Sequence, residues 1–160
     1  MKKILTALML GFASVAVAQD AVPNVTLKTL DGKEVKLASV AKKGRITIVS
    51  FWATWCAPCQ KELDNIGKNY TGWQKKYKTD LIAVSIDNEK AFPKVKPLAD
   101  KKGWAYQVLW DGAGAWKSSL NIPSVPYTLV IKDGKIVYRH AGYKDGDEKE
   151  LEKKLAEWSK

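Results

Sequence analysis

The apolar positions of this chain repeat at alternating short and long periods, and the alternation lays out a series of strands and helices. Residues 25–30 and 34–37, separated by Asp31-Gly32, predict an N-terminal β-hairpin. Residues 45–52, with Ile46, Ile48, Val49 and Phe51, form a near-continuous apolar run of the kind buried on both faces of a sheet. The period then lengthens. Cys59, Leu63, Ile66, Tyr70, Trp73 and Tyr77 step by fours and threes, which predicts a long helix with one face on the sheet and Cys59 beneath that surface. Gly67 and Gly72 weaken this helix and are expected to bend it or end it early. Residues 80–87, with Leu81, Ile82, Val84 and Ile86, predict the next strand, parallel to the first because a helix crosses between them.

The second half continues the plan. Residues 92–102 predict a helix with Pro93 in its first turn and Pro97 as an unfavourable interior residue. A short strand over 106–110 leads into the loop Asp111-Gly112-Ala113-Gly114, whose single Gly-x-Gly is too weak to imply a nucleotide site. Residues 128–132 and 135–140 flank Asp133-Gly134, a strong two-residue hairpin turn. Asp147-Glu148-Lys149-Glu150 is a capping-box-like start for a last helix that aligns Leu151, Leu155 and Trp158. The class is α/β, a central mixed β-sheet flanked by helices, in one domain over residues 19–160 with no linker or repeat.

Residues 1–18 carry a different pattern. Lys2 and Lys3 precede an apolar run, and Ala16-Val17-Ala18 matches a small-x-small cleavage site, so residues 1–18 read as a secretory signal peptide cleaved after Ala18. The run is short of the ~20 residues of a spanning helix. No cysteine stands near the cleavage point, so a lipoprotein anchor is not expected. Periplasmic or secreted localisation follows, in a compartment where disulfides persist. The formal charge of +10 falls to +8 without Lys2 and Lys3. The remaining lysines are dispersed, which favours solvated helix faces, with steering toward acidic partners or an anionic membrane surface as a secondary effect. No motif supports nucleic-acid binding. Seven tryptophans invite a ligand platform, but Trp73 and Trp158 fall on helix stripes where packing is the expected role. His140, the only histidine, reads as a surface or packing residue.

The two cysteines are Cys56 and Cys59, at the junction between the apolar strand and the long helix. Two intervening residues, Ala57 and Pro58, let the sulfurs reach bonding distance. Cys56 sits at a helix N-terminus, where free N–H groups and the macrodipole stabilise a thiolate. Cys59, one turn on, is the resolving thiol of an exchange cycle. Pro58 is tolerated because the first helical turn has no N–H partners to lose. An inert structural disulfide gains little entropy from so small a loop. Half of a zinc site would need ligands that the chain does not supply nearby.

Trp55-Cys56-Ala57-Pro58-Cys59 after Val49-Ser50-Phe51-Trp52-Ala53 resembles the active-site segment of the thioredoxin superfamily, and from residue 24 to 158 the chain resembles its secreted TlpA/ResA branch. The resemblance implies a thioredoxin-like fold with a central insertion at the strand-helix-strand stretch after residue 80. Thioredoxins carry a buried Asp on the strand before the motif; the matching position here is Ser50. The related branch carries a Glu three residues after the second cysteine, here Glu62, which shares a helix face with Cys59 and can relay its proton. A solvated Glu is the alternative, since Glu62 adjoins the buried stripe without belonging to it.

By the same resemblance Val125-Pro126 matches a cis-proline loop facing the dithiol, where the Val125 backbone pairs with an extended substrate strand. Many relatives have Thr before this proline, so Val125 departs from the pattern. Trp55, Ala57 and Pro58 complete the expected substrate-contact set, with Trp52 either bordering the same surface or lying in the core. The implied function is an exported protein-disulfide reductase of cytochrome c maturation, acting on protein thiols and disulfides and resupplied by a membrane thiol donor. No cofactor beyond the Cys56–Cys59 pair and no metal is expected, and the expected state is a monomer. An oxidant or isomerase uses the same motif, because direction depends on potential. A thiol peroxidase would need Thr or Ser at Ala53 and Pro at Val49. A Cu(I) carrier of this fold uses a longer cysteine spacing and a partnered His.

Overall fold

In the computed structural model, which describes residues 21–160, the first hairpin forms from Thr26–Thr29 (β1) and Glu34–Lys36 (β2), paired antiparallel. Leu37 does not extend the second strand; it opens a one-turn helix, Leu37–Val40 (α1), and is itself buried. The signal peptide expected over residues 1–18 and its expected cleavage point lie outside the described residues.

Every residue of Ile46–Trp52 (β3) is buried, as its unbroken apolar run requires. Its two faces serve two cores. Ile48 and Trp52 pack toward the helix Ala57–Tyr77 (α2), whereas Val49 and Phe51 pack on the other face with Leu37 and Trp116. The helix runs unbroken through Gly67 and Gly72, so neither glycine ends it early. Gly67 has a packing reason: a Cβ there would stand 3.3 Å from the Tyr106 ring, so its absence admits the ring close to the helix. Lys78 in the left-handed conformation ends α2 and feeds Thr79–Ser85 (β4), which is parallel to β3.

The expected helix over 92–102 is two pieces, a 3-10 turn at Phe92–Lys94 and a helix at Val95–Lys102 (α3). Pro97 therefore occupies the first turn of α3, where an N–H has no intrahelical partner, and is not an interior proline. Gln107–Trp110 (β5) follows, then a short helix, Ala115–Ser119 (α4), which the sequence pattern did not reveal. Tyr127–Lys132 (β6) and Lys135–Ala141 (β7) join through Asp133 and Gly134, both at positive φ as a two-residue turn demands. The strand order is β2-β1-β5-β4-β3-β6-β7 among the described residues, with β3 and β4 central.

The final helix is Asp147–Trp158 (α5). Its start is not a capping box: Gly146 is the cap residue, Glu148 accepts from the Gly146 N–H at 3.2 Å, and Glu150 pairs with Lys153 instead. Leu151 and Leu155 bury against α2 and the sheet, while Trp158 packs on Tyr138. Among the described residues no helix is long and apolar enough to cross a membrane.

Candidate active site

At the end of β3 the chain turns through Ala53, Thr54 and Trp55 before α2 begins, and this turn is held by a buried carboxylate. Asp87, two residues past β4, accepts from the Thr54 N–H at 2.9 Å, the Thr54 hydroxyl at 2.7 Å and the Ser85 hydroxyl at 2.8 Å. Its own carbonyl accepts from the Trp110 indole N–H at 2.6 Å, and the Trp110 ring stacks on Phe92. The Gln60 side chain donates to the Thr54 carbonyl at 3.0 Å from the first turn of α2. The loop leading into the dithiol is thus tied to strand, helix and aromatic stack at once.

Cys56 is the cap residue of α2 and forms a disulfide with Cys59. The Cys56 sulfur also accepts from the Cys59 backbone N–H at 3.3 Å. That N–H and the helix N-terminus are directed at Cys56, the arrangement that stabilises a thiolate. Cys56 is 4% exposed and Cys59 is sealed, so an incoming partner reaches Cys56 first. Ala57 and Pro58 occupy the first two helical positions, and Trp55 projects beside them. At 69% exposure Trp55 is the exposed large apolar side chain among the described residues. Trp52 lies elsewhere: it is fully buried, edge-on to Trp104 with ring centroids 4.9 Å apart, and contributes to the core and not to the contact surface.

Glu62 is 3% exposed, so it belongs to the buried stripe after all. The Ser50 hydroxyl donates to its Oε2 at 3.0 Å and the Thr128 hydroxyl to its Oε1 at 2.7 Å. Burial raises its pKa above the ordinary carboxyl value; the Thr128 and Ser50 hydrogen bonds and His140 pull the other way, and Asp147 adds to the rise. Ser50 and Thr128 are direct partners across β3 and β6, which places both donors under the carboxyl group. The residue at the position of the thioredoxin acid therefore serves an acid presented by the helix. The Val125–Pro126 peptide is cis, as the resemblance implied, and leads directly into β6.

Sequence reasoning found the dithiol and Glu62 but missed Asp87, Thr128 and the links from Ser50. The position of Asp87 follows from the strand register and not from the sequence. Parallel β3 and β4 pair Trp52 with Ser85, so Thr54 and Asp87 leave the sheet side by side. Among the described residues no group of three or more His, Cys, Asp or Glu side chains is arranged to hold a metal ion.

Residues 18–139 match the model of the AhpC/TSA family. Thioredoxin-like protein YneN of Bacillus subtilis (strain 168) is 33% identical over 137 residues, covering 83% of this chain and 75% of that protein. Thiol-disulfide oxidoreductase ResA of Bacillus thuringiensis (strain Al Hakam) is 27% identical over 121 residues, covering 75% of this chain and 67% of that protein. The solution structure of an uncharacterized thioredoxin-like protein from Porphyromonas gingivalis superposes with a TM-score of 0.75 at 44% identity, covering 85% of this chain and 90% of that one.

Proposed function

This chain belongs to the AhpC/TSA family, with a thioredoxin-like fold, and on that premise we propose that it is an exported thiol-disulfide oxidoreductase that reduces disulfides in partner proteins. One observation carries the reading: a Cys56–Cys59 disulfide at the N-terminus of α2, with a buried carboxyl, Glu62, one turn further on. In the reductive direction the Cys56 thiolate attacks a partner disulfide, expelling one partner thiolate and leaving a mixed disulfide. Glu62 takes the proton of the Cys59 thiol. Cys59 then attacks the Cys56 sulfur; the Cys56–Cys59 bond forms, and the electron pair of the breaking bond leaves with the second partner thiolate. Trp55, Ala57, Pro58 and the Val125-Pro126 loop supply the surface against which the partner lies.

Export rests on the leader pattern of residues 1–18, which delivers the protein to a periplasmic or secreted compartment. There a membrane thiol donor would return electrons to the pair, and cytochrome c maturation is the process the resemblance favours. The AhpC/TSA family name does not itself make the chain a peroxidase: Ala53 and Val49, where a peroxidatic pattern needs Thr or Ser and Pro, carry no hydroxyl and no ring.

The test is the reduction potential, followed by tryptophan fluorescence in defined thiol-disulfide buffers. A value near or below about −270 mV is expected for a reductase. A value near about −120 mV would identify an oxidant and overturn the direction. A pair that does not cycle removes the exchange reading altogether.

A further inference from the structure

Glu62 can relay protons only if they reach and leave it, yet at 3% exposure it is nearly sealed from solvent. It borders a small cavity of about 10 Å³, close to the space of one water molecule, between α2, the strands β6 and β7, and α5. Besides Glu62 the polar walls are Thr128, Tyr138, His140, Tyr143, Asp147 and Glu148. The placement follows from the sheet. Ser50 pairs with Thr128 across β3 and β6, and Thr128 with His140 across β6 and β7, so the two hydroxyls that hold Glu62 and the imidazole stand in one row.

Most of these walls are occupied. Glu148 accepts from the Tyr143 hydroxyl at 3.0 Å and from the Gly146 N–H, and Asn65 donates to Tyr143 at 2.6 Å. Asp147 accepts from the Lys144 N–H at 2.9 Å and lies 3.1 Å from His140 Nε2. Tyr138 stacks parallel to the His140 ring, and Thr128 already donates to Glu62. His140 alone combines a cavity face with a side chain 34% open to solvent and a ring holding a donor and an acceptor nitrogen together.

We infer that His140, oriented by Asp147, is the proton outlet of Glu62: a water in the cavity takes the Glu62 proton and His140 passes one on to solvent. The inference rests on the proposed exchange cycle. The balance is simple. When Cys59 closes on the mixed disulfide its thiol proton moves to Glu62, then to the water, while His140 accepts a proton from that water and releases one to bulk solvent, so each turnover returns Glu62 to its starting form. The charged and titratable groups around the route are Asp147 and Glu148 from α5, Tyr138 from β7, Tyr143 from the loop after it, and Tyr106 across α2, whose hydroxyl donates to the Leu63 carbonyl. His140 is a positioning residue in this scheme, since it meets the cysteines only through Glu62.

Stopped-flow fluorescence of the reduced protein with saturating oxidised glutathione isolates the first-order closing of Cys59 on the mixed disulfide. His140→Gln is expected to slow that step about tenfold near neutral pH, a fraction of the 10²–10⁴ that general acid-base groups contribute, to alter its pH profile, and to regain the rate when imidazole is added. A purely structural imidazole would not be rescued by free imidazole. Closing in His140→Gln at the wild-type rate and pH profile, or a loss that imidazole does not restore, overturns the outlet. Glu62→Gln separates the two readings. If it slows closing while His140→Gln does not, only the outlet falls; if neither slows it, the proton role of Glu62 falls as well.

Discussion

Replacing Asp87 by Ala tests whether the dithiol loop is held from the neighbouring strand. The carboxylate is fully buried and accepts three hydrogen bonds, from the Thr54 N–H, the Thr54 hydroxyl and the Ser85 hydroxyl. Bonds to a charged acceptor contribute about 1.5–3 kcal/mol each, but hydroxyls can turn to other acceptors whereas an amide N–H cannot. Counting the amide in full and the hydroxyls in part gives a loss of roughly 3–5 kcal/mol. Unless total stability lies at the bottom of the usual range of about 5–15 kcal/mol the oxidised variant remains folded, and with a urea slope of ~2 kcal/mol/M its midpoint falls by roughly 2 M. Thr54→Val, which deletes one hydroxyl and keeps the amide bond, is expected to lose about 1 kcal/mol. Urea unfolding of both variants with the disulfide intact is the assay. A loss below about 1 kcal/mol in Asp87→Ala at an unchanged slope would show that the loop holds its shape without Asp87 and would refute the reasoning.

Burial holds the Glu62 pKa above its unfolded value of 4.5, so the contribution of its neutral form is complete below that pH and is lost as pH rises toward the folded value. Glu62→Gln should therefore gain stability relative to the wild type as pH rises above 4.5; matched urea curves that show no growing difference would contradict a buried titrating carboxyl. Trp55→Ala removes an exposed ring, so the thermal midpoint should hold, within about 0.5 kcal/mol, while KM for a protein disulfide rises several-fold; an unchanged KM would remove Trp55 from the contact surface. Gly112→Ala would set a Cβ 2.1 Å from the Trp110 ring, displacing the indole from Phe92 and from the Asp87 carbonyl at a cost of about 2–4 kcal/mol, and calorimetry showing an unshifted midpoint would count against that packing.

What was legible in the sequence was whatever a one-dimensional period encodes. β3, β4, the inner stripe of α2 and the Asp133-Gly134 hairpin each have an unambiguous spacing or turn dipeptide, and the Cys56–Cys59 pair declares itself. The errors share a cause. Gly67 was read by helix propensity, which tertiary packing overrode because the absent side chain makes room for Tyr106. Pro97 was misplaced because a 3-10 turn resets the start of the helix after Lys94. Glu62 was assigned to the stripe's margin because charge argues for exposure, yet Ser50 and Thr128, the latter 66 residues away, satisfy it in the interior. Two-dimensional relations of this kind, Trp52 opposite Ser85 and Thr128 opposite His140, appear only once strand register is fixed.

The two buried acids near the dithiol differ in the donors they receive, and that difference suits them to different tasks. Asp87 accepts a backbone N–H from Thr54, a donor fixed in direction, so an acceptor is required at that oxygen whatever else changes. Among the described residues Glu62 accepts from two hydroxyls, Ser50 and Thr128. Each hydroxyl can rotate to accept in turn, so Glu62 can gain or lose a proton without moving a backbone atom. The first arrangement suits a group that holds the loop before Cys56; the second suits one that titrates during exchange. Moving the acid from the strand position, where Ser50 stands, to α2 makes this possible, because a carboxyl on the helix can rest on two strand hydroxyls and still face the cavity beside His140. On the proposed exchange cycle the site separates positioning from proton transfer. Asp87 anchors the strand side of the dithiol loop, and in the proposed relay Glu62 exchanges its proton through the cavity beside His140.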